Sequence, residues 1–336
     1  MSTTIRDLVD RTFREYLEPS DELNSYTAVA SAMTSSATTL SFDADLLTQE
    51  EEDVMDAGTI LEIDQELMYC TGLDTVNNFV TVVRGVRGTT ADSHDIGAIV
   101  KIAPSFTRLA VFNAIKDQIN NLFPTLFAVE TKELSASTGY TLIGTHDAPG
   151  DSNYLVSILS AISQYTDFAS GSDSTGVSFL PVTCSLVELP NPFTFTDADG
   201  VSRTITYSTG PNVVHAVQFS GIAQGQTAFV TFKKKFIEPT AESNSLSSIG
   251  LEQEYEPIIM AGVAAQMMSG RDIPSATTQY ITEQMAISGY PVGSSNSIRN
   301  SLLQYQQLLI NQARKYLRDK YPESVSVDGL VYGIQA

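Results

Sequence analysis

The clearest alternation of apolar and polar positions lies between Gly58 and Pro104. Ile60, Glu62 and Asp64 alternate with Thr59, Leu61 and Ile63; Val80, Val82 and Arg84 alternate with Thr81 and Val83. A period of two sends one row of side chains to a core and the other toward solvent or a partner, as in a half-buried strand. Thr75-Val76-Asn77-Asn78 interrupts the pattern as a turn. Arg84-Gly85-Val86-Arg87-Gly88 interrupts it again, with two glycines that can take backbone angles closed to other residues. The pattern predicts a small antiparallel barrel or sandwich of three or four strands, with Gly85 or Gly88 at positive φ.

A different period flanks this stretch. Ile5, Leu8, Val9, Phe13 and Tyr16 recur at helical spacing, with Thr3 or Thr4 placed to cap and Pro19 placed to stop the helix. Tyr26 to Phe42 reads as two strands, and Gln49 to Asp53 as a short helix. After the β-stretch, Pro104 is expected to open a helix that runs to about Phe123 and ends at Pro124. From Leu126 to Phe236 the chain reads as strands: Phe127–Leu134, Tyr140–Gly144, Tyr154–Ile162, Val177–Leu189, Arg203–Thr209, Val213–Phe219 and Gln226–Phe236. Turn residues separate them at the spacing of an antiparallel sandwich, and Pro190 and Pro192 suggest an edge or corner. Helical spacing returns over Glu252–Met268, Thr277–Ile287 and Ser297–Lys320, with Ser295 or Asn296 as the cap of the last. The tail from Val325 to Ala336 is apolar enough to fold back or to add to a neighbour's sheet.

The fold class expected is therefore α+β and multidomain. A small β-barrel or sandwich module with flanking helices fills 1–125, a second antiparallel sandwich 126–240, and a C-terminal helical region with a short tail 241–336.

Charge changes this picture. The chain of 336 residues carries a net charge of −20. That disfavours a protein that grips nucleic acid, which needs clustered Lys and Arg, but does not exclude one that surrounds DNA without holding it, since an acidic lumen would repel phosphates. Asp43 to Glu66 holds many carboxylates, among them Glu50, Glu51, Glu52 and Asp53, and no Lys or Arg. It reads as a solvated face or as a docking face for a basic neighbour. Lys233, Lys234 and Lys235 end a strand, as guards of an edge or as half of a subunit contact. Arg314, Lys315, Arg318 and Lys320 sit in the last turns of the final helix, where they suit the negative end of its dipole and, with Arg314, Lys315 and Arg318 foremost, form a second candidate for half of a subunit contact.

Catalytic and metal signatures are not found. The three histidines, His94, His146 and His215, lie far apart, and the adjacent Ser93, His94 and Asp95 cannot present a triad's geometry. His94 is expected to make a loop hydrogen bond. Asp197-Ala-Asp199-Gly200 lacks the bidentate Glu of a calcium loop and reads as a turn. Cys70 and Cys184 sit in apolar runs and read as buried thiols. No cofactor, metal or membrane is expected, and the N-terminus has no apolar signal core.

The string ELMYCTGLD…FVTVVRGVRGTTADSHDIGAIV resembles a β-module of virion structural proteins of tailed bacteriophages. The recurring features are a Glu followed by two hydrophobic residues, a hairpin, and then V-x-R-G-x-x-G-T-x-A-x-x-H-x-x-G-A-x-V. Arg84, Gly85, Gly88, Thr89, Ala91, His94, Gly97, Ala98 and Val100 match it. IRDLVDRTFREYLEP and YPVGSSNSIRNSLLQYQQLLINQARKYLRDKYP resemble the same group. The resemblance implies a non-enzymatic virion protein, made in the host cytoplasm. The first expectation is a homo-oligomeric ring of the neck, a head–tail connector, adaptor or collar protein that links portal and tail around the DNA. The second is a distal tail or baseplate component. A tail-associated glycan hydrolase is the alternative of another class, and no carboxylate pair is singled out for it.

Overall fold

The computed structural model describes residues 3–17, 25–46, 55–136, 141–142, 155–167, 176–190, 193–196, 202–205, 213–223, 225–268, 295–321, 326–327 and 330–331. The architecture is mixed α and β, with antiparallel sheets and a long helix near the C-terminus. The chain divides into two compact units: one from 1–119, 239–245 and 253–309, the other from 120–238, 246–252 and 310–336. Residues expected in a separate C-terminal region thus belong to both.

The first unit begins with α1, Ile5–Thr12. Thr4 caps it in a reciprocal box, its hydroxyl accepting from the Asp7 amide at 3.3 Å while Asp7 accepts from the Thr4 amide at 2.8 Å. The helix continues as a π-turn over Phe13–Leu17, which brings Leu17 as well as Phe13 into the core. The expected stop at Pro19 lies outside the described residues.

Six strands follow: β1 Ser25–Ala28, β2 Thr39–Ser41, β3 Ile60–Ile63, β4 Glu66–Asp74, β5 Phe79–Val83 and β6 Ile99–Ile102. They form one antiparallel sheet in the order β1-β6-β3-β4-β5-β2. The sheet curls as a half-barrel whose two edge strands are joined past their ends by a bridge between Val29 and Phe42. The expected three or four strands become six because Tyr26 to Phe42 supplies both edges. Leu61, Ile63, Met68, Cys70, Val80, Val82 and Val100 fill the interior with Phe42 and Met55. Cys70 is buried there and its thiol donates to the Met55 carbonyl at 3.3 Å.

The helix after the sheet, α2, spans Arg108–Leu122. Pro104 does not open it. Thr107 does, its hydroxyl accepting from the Ala110 amide at 3.2 Å, a group proline cannot match. Helix α3, Glu256–Met267, is buried almost all round, and Gly262 lies where Gln118 and Gln306 meet through a 2.8 Å hydrogen bond. A Cβ on Gly262 would come within 2.2 Å of both amides, so the glycine admits this close approach. Helix α4, Ser295–Lys320, is the longest. The expected helix Thr277–Ile287 lies outside the described residues.

Among the described residues the second unit holds two larger sheets and two two-stranded pairs, one of them Ser326–Val327 with Leu330–Val331. The first has the order β10-β9-β15-β7, from β7 Ala128–Ser135, β9 Leu155–Asp167, β10 Gly176–Pro181 and β15 Thr227–Lys234. The second has the order β11-β14-β8, from β8 Thr141–Leu142, β11 Thr183–Pro190 and β14 Val213–Ser220. Leu134, Leu155, Val230 and Phe232 of one sheet share a core with Val217 and Leu186 of the other, as in a β-sandwich. The single strand expected over Val177–Leu189 is two, because the chain leaves one sheet for the other at Val182. Cys184 is only half-buried, and burial still pushes its thiol up to about 11. Strands β12 Phe193–Thr196 and β13 Ser202–Ile205 pair with each other after β11 ends at Pro190; Pro192 lies outside the described residues.

Candidate functional site

The matched positions of the β-stretch converge on one carboxylate. Asp64 takes a φ of 52° and, with Gln65, turns β3 into β4, which sets Glu66 at the first position of β4 with its side chain buried. Arg84 leaves the end of β5, the strand beside β4. Its Nε and Nη2 each donate to Glu66 at 2.6 Å, a bidentate pair. The same carboxylate accepts from the amides of Gly85 at 3.1 Å and Asp92 at 3.0 Å, and His94 Nε2 lies 2.9 Å away. Nδ1 of His94 lies 3.2 Å from Asp64. Arg84 also donates through Nη1 to the carbonyls of Thr34 at 2.8 Å and Ala37 at 3.1 Å, and through Nη2 to that of Asp92.

All five guanidinium hydrogens are therefore used. Burial alone would raise the Glu66 pKa. The bonds from Arg84, the Asp92 amide and His94 outweigh it and lower the carboxyl to about 2. The cluster ties four separate segments together: the 34–37 loop, the β3–β4 turn, the end of β5 and the 85–94 loop. Such an arrangement holds a fold in place.

The glycines serve the same loop. Gly85 has φ 62°, Gly88 φ 86° and Gly97 φ 83°. A Cβ on Gly85 would lie 3.1 Å from the Thr89 carbonyl and 3.3 Å from the Ala91 amide. Replacing Gly85 by Val is expected to cost about 1–3 kcal/mol through strain and this close approach. A loss of hydrogen-exchange protection at Val80 and Val82 would report it, and unchanged protection would count against it. Thr89 completes the turn, its hydroxyl accepting from the Leu67 amide at 3.1 Å.

A second buried network sits at the start of α2. Arg108 donates to Glu242 at 2.7–2.9 Å and to Asp10 at 2.6 Å. Burial works against the Arg108 charge, but the two carboxylates more than offset it and raise its pKa further. The Arg108 amide is held by Glu62 at 2.5 Å. The partners lie up to 134 positions apart, and no spacing in the sequence signals them. Glu62 and Glu66, expected in an outward acidic face, are thus turned inward. Beside the Glu66 cluster opens a cleft of about 530 Å³, lined by Asp64, Thr89, Thr90, Asp92 and Ser93 among others.

The remaining candidates are dispersed. Glu50, Glu51, Glu52 and Asp53 lie outside the described residues, as do His146 and Asp197 to Gly200. His215 faces Glu188 in strand register, with its side chain outside the described residues. Lys233, Lys234 and Lys235 do not guard an edge, because β15 is an interior strand. Lys234 is buried and pairs with Glu130 at 2.8 Å, Lys233 lies 4.5 Å from the Phe127 ring, and Lys235 lies 5.3 Å from that of Phe123. Arg314, Lys315 and Arg318 are exposed on α4. Among the described residues, no group of three or more His, Cys, Asp and Glu is placed to hold a metal, and no helix is long and apolar enough to cross a membrane.

No family model matches the chain, and no curated protein matches it.

Proposed function

We propose that the chain is a structural component of a tailed-phage particle: a ring-forming head–tail connector, adaptor or neck protein that links portal and tail around the DNA path. In this reading a small barrel module, a sandwich and a helical C-terminal region divide the work of contact with neighbours. The observation that carries the reading is the role of the matched residues. Arg84, Gly85 and His94 close on Glu66 as a structural device, which is what a module shared among particle proteins would keep. The net charge of −20 fits a wall that lets DNA pass without holding it. The module fits a distal tail or baseplate component equally well, and the long helix α4 is what favours the neck.

Labelling the protein in intact particles, together with probing isolated tails and portal-bearing necks, tests this. Label at the neck and recovery with the portal are expected. Label at the distal end selects the tail reading, and absence from particles overturns both. Turnover of surface glycans by the purified chain, lost on changing one carboxylate, would overturn the non-enzymatic part.

A further inference from the structure

We propose that the cationic last turns of α4 dock onto the acidic half-barrel of a second copy of the chain, at the rim of Asp64, Asp92 and Asp95; this rests on the ring reading above and names its contact. The argument begins with segregated charge. Between Ser25 and Ala103 the chain has thirteen carboxylates against three Lys and Arg, and setting aside the buried Glu62 and the Glu66–Arg84 pair leaves eleven against two. Of those three cations, Arg84 is consumed by Glu66 and Lys101 lies 4.4 Å from the Phe13 ring, which leaves Arg87 exposed. Asp64, Asp92 and Asp95 are all exposed, with 73% of the Asp64 side chain accessible. Behind Asp64 and Asp92 the cleft of about 530 Å³, which Arg6 also lines, offers the hydroxyls of Thr90 and Ser93 as further acceptors.

Helix α4 has the opposite character. Arg314, Lys315 and Arg318 are exposed and make no ion pair among the described residues. Arg314 and Arg318 are one turn apart and share a face, with Lys315 beside them. Leu317 is buried, while Arg314, Lys315 and Arg318 flank it on the exposed part of the helix. A guanidinium suits carboxylates ringed by hydroxyl acceptors, since its planar fork can bond to several at once. A contact in which one patch meets a different patch on the next copy is heterologous, and it closes into a ring when the rotation permits.

Salt titration alone does not decide this. Screening weakens the contact, but it also relieves repulsion between two chains of charge −20 each. Charge exchange has a definite sign. The full chain carrying Arg314→Glu, Lys315→Glu and Arg318→Glu should self-associate more weakly by about tenfold or more, read by sedimentation equilibrium at roughly 0.05 M salt. Asp92→Lys with Asp95→Lys should do the same. The five changes together should restore association. Circular dichroism and exchange protection at Val82 show that each variant is folded. Unchanged association in either single set, no recovery in the combined variant, or a wild type that stays monomeric would overturn the proposal. So would a triple variant whose only defect is lost retention on DNA, because the cations would then meet nucleic acid. Particle labelling is a separate readout. A protein found at the distal tail but rescued by charge exchange would keep this contact and discard the neck.

Discussion

Replacing Arg84 by alanine is expected to destabilise the half-barrel by about 3–5 kcal/mol, the range for breaking a buried ion pair from one side. The loss follows from what remains. Glu66 would keep its place at 2% exposure with two amides and His94, but without the cation that neutralises it. The carbonyls of Thr34, Ala37 and Asp92 would lose their donor at the same time. Arg84→Lys should recover only part of the loss, because an ammonium cannot supply the bidentate fork or reach four acceptors at once. The two units need not unfold together, so a single global transition is a poor readout. Exchange rates of the Val80 and Val82 amides report the half-barrel directly. Exchange in Arg84→Ala as slow as in the parent would show that the cluster contributes nothing to stability.

The second large effect is on acid stability. Glu66 has a folded pKa of about 2 against an ordinary value of 4.5. Above the ordinary value the carboxyl is ionised in both states, and the folded state enjoys the full advantage of its partners. As pH falls below 4.5, the unfolded chain binds a proton that the folded one refuses, so stability declines until the folded group also titrates near 2. The contribution at stake is roughly 3 kcal/mol, at 1.36 kcal/mol per pKa unit. Glu66→Gln should be less stable at neutral pH and should lack this slope between pH 4.5 and 2. Denaturant unfolding at several pH values, read by the same amides, gives the two curves. Parallel curves would remove Glu66 as the source.

The half-barrel was legible because its strands are local and their apolar residues recur at every second position, although β3 buries Glu62 as well. Leu61 and Ile63, like Val80 and Val82, fall on the buried row that the period of two assigns them. The turn at Gly85 and Gly88 was legible because only glycine takes positive φ without strain. The opening of α2 was misread: Pro104 is a good first-turn residue, but Thr107 offers an oxygen to an orphan amide, and the hydrogen bond prevailed. The lysines 233–235 look like an edge in sequence because nothing local tells an interior strand from an outer one. Their position depends on β7 and β9, which flank β15 from far along the chain.

The sequence by itself determined most of the described strands and helices, the tight turn at Gly85 and Gly88 and the uneven spread of charge, since each depends on neighbours a few positions apart. Only the tertiary structure decided that Glu66, Arg84 and His94 form one buried cluster and that Arg108 joins Glu242 to Asp10. The physical reason is that a carboxylate in sequence carries no sign of its environment. The same Glu is a solvated charge on an outer row and a buried anchor when β3, β4 and the 85–94 loop close around it. That choice is made by burial and by donors that folding brings from elsewhere in the chain.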